Sequence, residues 1–227
     1  MRIFLLLVFS FFLYKLNGKF LDDNDQFCVG HIFPAFPQVV KDEGPRFYYL
    51  GKGHQSFVFE SEDKTQVLKF YRYPSHLRAF SLKFRKHPKE LYNIQKLKDS
   101  LESYELAFSE LREDCGLLDC PSIKTVTLID KSGNKYAISL ELTTYFIQKK
   151  AEKIFPLKGN RNEVLSSLID LIRRRTEKGI VDLDPVLRKN YGIVDGKVIL
   201  IDIGRLKKQP VDVNEQIKKI TESLTNS

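Results

Sequence analysis

The chain has few cysteines, and they are too few and too irregularly placed for the common zinc sites. Only Cys28, Cys115 and Cys120 occur in the 227 residues. Zinc-binding cysteines usually come in pairs two to four residues apart with further ligands downstream, so we assign no metal to these three. If the chain is exported, Cys115 and Cys120 could form a disulfide. Buried free thiols are the alternative, because both residues follow the end of a predicted helix.

The sequence also lacks an apolar run of the roughly 20 residues that a transmembrane helix needs. Its N-terminal apolar stretch, Ile3 to Tyr14, is shorter, follows Arg2 and is closed by Lys15. This pattern is typical of a secretory signal. It predicts a signal peptide at residues 1–18, an exported or secreted chain, and membrane association only through an uncleaved N-terminus. A buried strand is the alternative, which the absence of period-two alternation disfavours.

Internal repeats, low-complexity segments and aromatic-and-basic RNA motifs are absent, so we expect no nucleic-acid partner. The composition, 42% apolar and 29% charged, is that of a globular protein. A formal charge of +8 makes an anionic partner such as a nucleotide plausible. The basic runs Lys83 to Lys89 and Arg173 to Arg175 are interpreted as solvated helix faces.

The first part of the chain predicts an irregular lead-in followed by three strands. Residues 19–45 are rich in aspartate and proline, which disfavour regular structure. Three short strand-like runs follow, Phe47 to Leu50, Ser56 to Ser61 and Gln66 to Tyr71, and turn residues separate them. We expect an antiparallel meander.

A long helix and two further strands follow the meander. Helical periodicity from Pro88 to Asp114 predicts one buried face, made of Ile94, Leu97, Leu101, Tyr104, Phe108 and Leu111. Ile123 to Ile129 and Tyr136 to Phe146 flank Ser132-Gly133-Asn134, which suits a hairpin turn. Residues 46–150 thus predict a lobe of five antiparallel strands and one long helix.

The remaining residues, 151–227, predict a smaller second lobe. A polar connector leads to a helix at Val164 to Ile172, which ends in charged residues with Gly179 as its C-cap. Asp195-Gly196 is a strong hairpin signal between Tyr191 to Val194 and Val198 to Ile201.

Two glycines in the first turn suggest a phosphate-binding loop. Gly51 and Gly53 would let backbone amides lie close to phosphate oxygens. Ser56 stands where the usual pattern has its third glycine, and Val58 follows in the next strand. Glycines that merely form a hairpin are the structural alternative.

A lysine and a glutamate extend this pattern. Lys69 lies in the apolar strand Val67-Leu68-Lys69-Phe70, where a cation could reach nucleotide phosphates. Glu105 on the long helix is the ion-pair partner that would hold it, with Glu90 and Glu110 as rivals. An exposed strand lysine is the alternative interpretation.

Acidic residues in the second lobe could carry magnesium chemistry. Asn190 and Asp202 flank the Asp195-Gly196 hairpin, and their hard oxygen ligands suit Mg²⁺ together with phosphate oxygens. Asp184 could then accept a hydroxyl proton. In the alternative, Asp202 only caps the end of its strand.

The ordered set of glycine loop, strand lysine, helix glutamate, Asp-to-Asn loop, hairpin and Asp-x-Gly resembles the protein-kinase-like superfamily over residues 46–206. The resemblance implies an α+β, two-lobed fold with a reduced second lobe, and ATP and Mg²⁺ as cofactors. It assigns catalysis to Asp184, Lys69 and Asp182, nucleotide binding to Gly51, Gly53, Ser56, Val58, Lys69 and Glu105, and metal binding to Asn190 and Asp202.

Two departures from the family pattern qualify the function. Asp182 and Leu183 occupy the usual His-Arg places, and the Asp184-to-Asn190 step is one residue longer, so Asp182 is an alternative base. The stretch after Gly204 is short for the helices that dock protein substrates. The sequence therefore predicts a phosphotransferase for an unidentified hydroxyl acceptor on a protein, sugar or lipid headgroup. The alternative is an inactive, kinase-like module that binds a nucleotide or a protein partner.

Overall fold

The chain has an α+β architecture, as predicted. The computed structural model describes residues 44–53, 56–71, 88–142, 144–154 and 161–218. Its helices include α1 (Pro88–Glu110), α2 (Arg161–Glu177) and α3 (Leu187–Asn190), and residues 213–218 are also helical. Its strands are β1 (Arg46–Lys52), β2 (Ser56–Ser61), β3 (Gln66–Tyr71), β4 (Leu117–Leu118), β5 (Thr125–Ile129), β6 (Lys135–Ser139), β7 (Tyr145–Lys149), β8 (Glu152–Lys153), β9 (Ile180–Asp182), β10 (Tyr191–Val194), β11 (Lys197–Leu200) and β12 (Leu206–Lys208).

Several predictions from the N-terminal part lie outside the described residues. They concern the signal peptide, most of the lead-in, Cys28 and most of the basic run Lys83 to Lys89. Within the described part of the chain, no helix is long and apolar enough to cross a membrane. Cys115 and Cys120 are both free thiols.

The chain divides into two compact units. Unit 1 takes its described residues from Met1–His76 and Cys120–Phe146, and unit 2 from Leu77–Asp119 and Ile147–Ser227. The long helix α1, which the sequence grouped with the strands of the first lobe, falls in unit 2. Its contacts explain this, because Glu110 pairs with Lys208 and its carbonyl accepts a hydrogen bond from Lys178.

The sheet of unit 1 contains the predicted meander but is not wholly antiparallel. The strand order is β7-β3-β2-β1-β5-β6, with β7 taking part through Tyr145 and Phe146. The pairs β1–β2, β2–β3 and β5–β6 are antiparallel, whereas β1 pairs with β5 in parallel. The prediction of five antiparallel strands was therefore wrong. The long excursion through α1 between β3 and β5 allows the chain to return in the parallel direction.

The predicted last strand of the lobe is interrupted. The described residues between 136 and 146 belong to β6, a 3₁₀ turn at Leu140–Leu142, and the start of β7.

Aromatic rings fill the core beneath this sheet. Phe59 meets Tyr49 and Phe70 in edge-on contacts, with ring centroids 5.4 and 5.8 Å apart. Such pairs add to the stabilisation from apolar burial.

Unit 2 is built around α2 and two small antiparallel sheets. Helix α2 packs on β9 and β11. Strands β10 and β11 form the predicted hairpin, with Asp195 and Gly196 at φ of 50° and 76° in its turn. Strand β8 pairs with the other edge of β10, and β12 pairs with β9. The β9–β12 pairing places the segment after Asp202 beside the segment that contains Asp182.

The buried face of α1 differs in part from the predicted one: Leu111 is buried as predicted and Phe108 is not, while the side chains of Ile94 and Leu97 lie outside the described residues. Phe108 is 44% exposed, and among the described side chains of α1 the buried ones are small and lie at helical spacing, followed by Leu111 just beyond the helix. They are Ser100, Ser103, Ala107 and Leu111. The prediction from apolar periodicity did not include these small residues, because it used only the spacing of large apolar side chains. Small side chains allow the helix backbone to approach its neighbours closely.

The basic run at the end of α2 is only partly solvated. Arg173 has an exposed side chain, and Arg174 forms an ion pair with Asp114 at 2.6 Å. Arg175 is completely buried, which the interpretation as a solvated face did not foresee. The buried residues Val164, Leu168 and Leu171 precede it at steps of four and three, so Arg175 continues the buried stripe.

Candidate functional site

The predicted site residues fall into two groups, one in each unit. In unit 1, Gly51, Val58 and Lys69 form a row across β1, β2 and β3. Gly51 is the cross-strand partner of Val58, and Val58 is the partner of Lys69. Directly opposed residues point to the same face of a sheet. All three are half-buried, while the neighbours Phe57 and Phe70 on the opposite face are buried.

The two glycines of this group have no structural requirement for glycine. Gly51 lies in β1 and not in the turn, and Gly53 donates its amide to the Ser56 carbonyl at 2.8 Å. Neither is among the described glycines with positive φ. Among the described residues, a Cβ atom would meet nothing within 4 Å at Gly51, and at Gly53 only the Ser56 carbonyl, at 3.9 Å. Open space over this hairpin would let a ligand approach the backbone.

The Lys69 side chain has an aromatic neighbour. Its Nζ lies 5.5 Å from the centre of the Phe146 ring in the same unit. At this distance the ring face attracts the ammonium group. The contact orients the lysine along the half-buried face of the sheet.

The helix glutamates differ in their availability. Glu105 has an exposed side chain, whereas Glu110 forms an ion pair with Lys208 at 2.6 Å. Glu90 lies where side chains are not described. Of the two described candidates, Glu110 already has a cationic partner.

In unit 2, backbone hydrogen bonds bring Asp182, Asp184, Asn190 and Asp202 together. The amides of Ile201 and Asp202 donate to the Asn190 carbonyl at 2.7 and 3.3 Å. The Asn190 side-chain amide donates to the Asp184 carbonyl. Asn190 ends the helical turn α3, which the sequence had treated as part of a loop.

Asp182 and Asp184 lie in contrasting environments. The Asp182 side chain is 2% exposed and that of Asp184 is 51% exposed. One oxygen of Asp182, Oδ1, accepts the Asp184 amide at 2.9 Å. Arg205 lies 3.7 Å from the Asp184 carboxylate as a surface ion pair, which is weak in water. Asp182 therefore shapes the segment, and Asp184 is open to a ligand.

The buried carboxylate of Asp182 belongs to a polar network. Arg175 Nη1 lies 3.8 Å from its Oδ2 and donates to the Tyr191 hydroxyl at 3.0 Å. That hydroxyl donates to Asp182 at 3.4 Å, and Arg175 Nη2 donates to Gln216 at 3.3 Å. Among the described residues, Arg175 Nε has no hydrogen-bond partner.

Burial raises the pKa of Asp182, and the charges of Asp202 and Asp184 raise it further, while the Arg175 guanidinium lowers it. Burial also raises the pKa of Tyr191. Its hydroxyl therefore stays protonated at neutral pH and can donate to Asp182. Burial raises the pKa of Tyr104, and the negative charge of the neighbouring Asp202 raises it further.

Asn190 and Asp202 each have a side-chain oxygen without a described hydrogen-bond donor, but Asn190 is buried, at 6% exposure, whereas Asp202 is exposed. Asp202 Oδ1 accepts the Gly204 amide at 3.3 Å. Neither Asp202 Oδ2 nor Asn190 Oδ1 accepts a hydrogen bond from a described residue. In the part of the chain that the structure describes, no group of three or more His, Cys, Asp or Glu could hold a metal ion. The two oxygens suit Mg²⁺, which usually takes one or two protein ligands and completes its shell with phosphates and water.

The sequence interpretation missed the residues that support this group. Arg175, Tyr191 and Gln216 form the buried network, and Ser103 on α1 contacts the turn after Asp202. The helical spacing of Arg175 with Leu168 and Leu171 could have predicted its burial. Nothing local in the sequence distinguishes Ser103 or Gln216.

No protein-family model and no curated protein matches the chain. Among solved structures, it is similar to WbdD with a bound kinase inhibitor (15% identity, TM-score 0.45, covering 79% of this chain and 38% of WbdD). It is also similar to a structure described as the bifunctional kinase-methyltransferase WbdD (14% identity, TM-score 0.44, covering 89% and 41%). The chain thus spans about two-fifths of these neighbours, and a likeness at this level assigns neither fold nor activity.

Proposed function

We propose that the chain is a kinase-like phosphotransferase that uses ATP and Mg²⁺ to phosphorylate a hydroxyl-bearing acceptor. The main support is the arrangement of Asn190 and Asp202. Their segments are joined through the Asn190 carbonyl, and each side chain keeps an oxygen without a described hydrogen-bond donor. Hard, uncommitted oxygens next to an exposed carboxylate suit magnesium-assisted transfer.

The row of Gly51, Val58 and Lys69 supports nucleotide binding. The open space over the hairpin would let backbone amides approach phosphate oxygens. The Lys69 ammonium would add positive charge on the same face of the sheet. Val58 would supply an apolar contact there, and Ser56, two residues earlier in β2, lies on the same face.

The contrast between the two aspartates supports a division of roles. Asp184 is exposed and would take the proton of the acceptor hydroxyl. In the same step, the hydroxyl oxygen would bond to the γ-phosphorus of ATP, and the bond between that phosphorus and the ADP oxygen would break. Asp182 is buried and bound to Arg175, so it would position the segment and not contact the acceptor. When bound, Mg²⁺ would neutralise negative charge on the phosphates.

Thermal unfolding with ATP, with and without Mg²⁺, tests the nucleotide site. A ligand at 100 times its dissociation constant stabilises the native state by about 2.7 kcal/mol. We expect a magnesium-dependent rise in Tm that Lys69→Met and Asp202→Asn both abolish. The asparagine at position 202 retains an oxygen for the Gly204 amide, so the loss would report on charge.

Matched substitutions separate specific from general charge effects. Lys135→Met removes an exposed strand lysine in unit 1, and Asp195→Asn removes a carboxylate from the β10–β11 turn, where Asn tolerates positive φ. Both variants should keep the full response. A folded wild-type chain without a magnesium-dependent response would refute the proposal and leave a partner-binding module as the better hypothesis.

A further inference from the structure

Ser103 joins helix α1 to the Asp202-Ile203-Gly204 turn. Its hydroxyl donates to the Ile203 carbonyl and accepts the Leu206 amide at 2.6 Å. One side chain thus satisfies a backbone acceptor and a backbone donor on the two sides of Gly204. Ser103 is completely buried, and so is Ile203.

The position of these bonds matters for Asp202. On its N-terminal side, Asp202 is held by the hydrogen bonds of its own amide and the Ile201 amide to the Asn190 carbonyl. Ser103 holds the turn from the C-terminal side. Without its hydroxyl, a buried carbonyl and a buried amide would lose their partner, which favours a rearrangement of the turn.

We infer that Ser103 is a positioning residue that holds the Asp202 carboxylate where it can bind Mg²⁺. The inference rests on the proposed function, because it assigns Asp202 to the metal. Ser103 does not contact the nucleotide in this role and acts through the turn. Its effect should therefore fall on magnesium-dependent nucleotide affinity and not on affinity without magnesium.

The test compares Ser103→Ala with Ser100→Ala. Ser100 is also buried on α1, and its hydroxyl donates to the Lys96 carbonyl of the same helix, so its substitution controls for helix propensity and for loss of a buried hydroxyl. Calorimetric titration with ATP in Mg²⁺ or in EDTA measures affinity. Hydrogen exchange measures opening of residues 202–206.

We expect Ser103→Ala to weaken ATP binding in Mg²⁺ by about five- to tenfold, the effect of about one hydrogen bond, and to leave binding in EDTA unchanged. Exchange at the Leu206 amide should accelerate by a similar factor. Ser100→Ala should change neither. Ser103→Cys, similar in size but a weak hydrogen-bonding group, provides the same test if the alanine variant does not fold.

The outcomes separate this inference from the proposed function. A wild-type chain without magnesium-dependent binding refutes both. Wild-type binding that Ser103→Ala leaves unchanged refutes only the positioning role, even if Leu206 exchanges faster. Equal losses in Mg²⁺ and in EDTA also refute it, because they indicate general damage to the unit.

Discussion

Replacing Arg175 by methionine should strongly destabilise the protein. The side chains of Arg175 and Asp182 are 0% and 2% exposed, so water cannot replace the lost partner. Removing one member of a buried ion pair typically costs about 3 to 5 kcal/mol, because an uncompensated charge stays in the interior. We expect a loss of about 3 kcal/mol at pH 8, since Tyr191 still donates to Asp182.

The loss of stability caused by Arg175→Met should become smaller as the pH is lowered. Burial already raises the pKa of Asp182, and the lowering effect of Arg175 disappears in the variant. Between the ordinary aspartate pKa and this raised value, the native state binds the proton more readily than the unfolded state. Stability of the variant therefore falls as pH rises through that window. Relative to wild type, the destabilisation should therefore be smaller at pH 5 than at pH 8, because only the variant lacks the lowering effect of Arg175 on the Asp182 pKa.

Urea unfolding of both proteins at pH 5, 6, 7 and 8 measures this difference. Arg173→Met is the matched control, since Arg173 is on the same helix with a side chain 58% exposed. It should change stability by less than about 0.5 kcal/mol at every pH. A loss for Arg175→Met below about 1 kcal/mol, or one that grows as pH falls, would refute the account of the network.

Two further predictions concern other positions. Gly192→Ala should destabilise the chain by about 1 to 3 kcal/mol in urea unfolding, because its Cβ would lie 2.6 Å from that of Ala151 and 2.9 Å from the Glu152 carbonyl. Gly51→Ala, where a Cβ meets no described atom within 4 Å, should leave stability nearly unchanged but weaken ATP binding; equal stability losses in the two variants would contradict this contrast. Asp184→Asn should retain magnesium-dependent ATP binding, measured by Tm, while phosphate transfer or ATP hydrolysis falls by about 10² to 10⁴; unchanged turnover would exclude Asp184 as the base.

Local patterns determined much of the secondary structure. The bounds of β2 and β3 agree with the prediction, because alternation and flanking turn residues act within a few residues. The Asp195-Gly196 turn was also predicted, since its positive φ values depend on the two residues themselves. The grouping of Asn190 near Asp202 followed from that same hairpin.

Properties that depend on distant partners required the tertiary structure. The parallel pairing of β1 with β5 depends on the path of a long connection, and no residue of either strand encodes it alone. The burial of Arg175 depends on acceptors contributed by Asp182, Tyr191 and Gln216. Their separation in sequence hides a network that exists only when α2, β9 and the C-terminal residues pack together.

The site shows the same division. The sequence predicted which residues could bind phosphate and magnesium, and this stays a prediction. Only the folded chain distinguished the buried Asp182 from the exposed Asp184, two residues away. It also revealed that Ser103 contacts a turn about 100 positions later. Burial and hydrogen bonding are set by the surroundings of a residue, and these are assembled from remote parts of the chain.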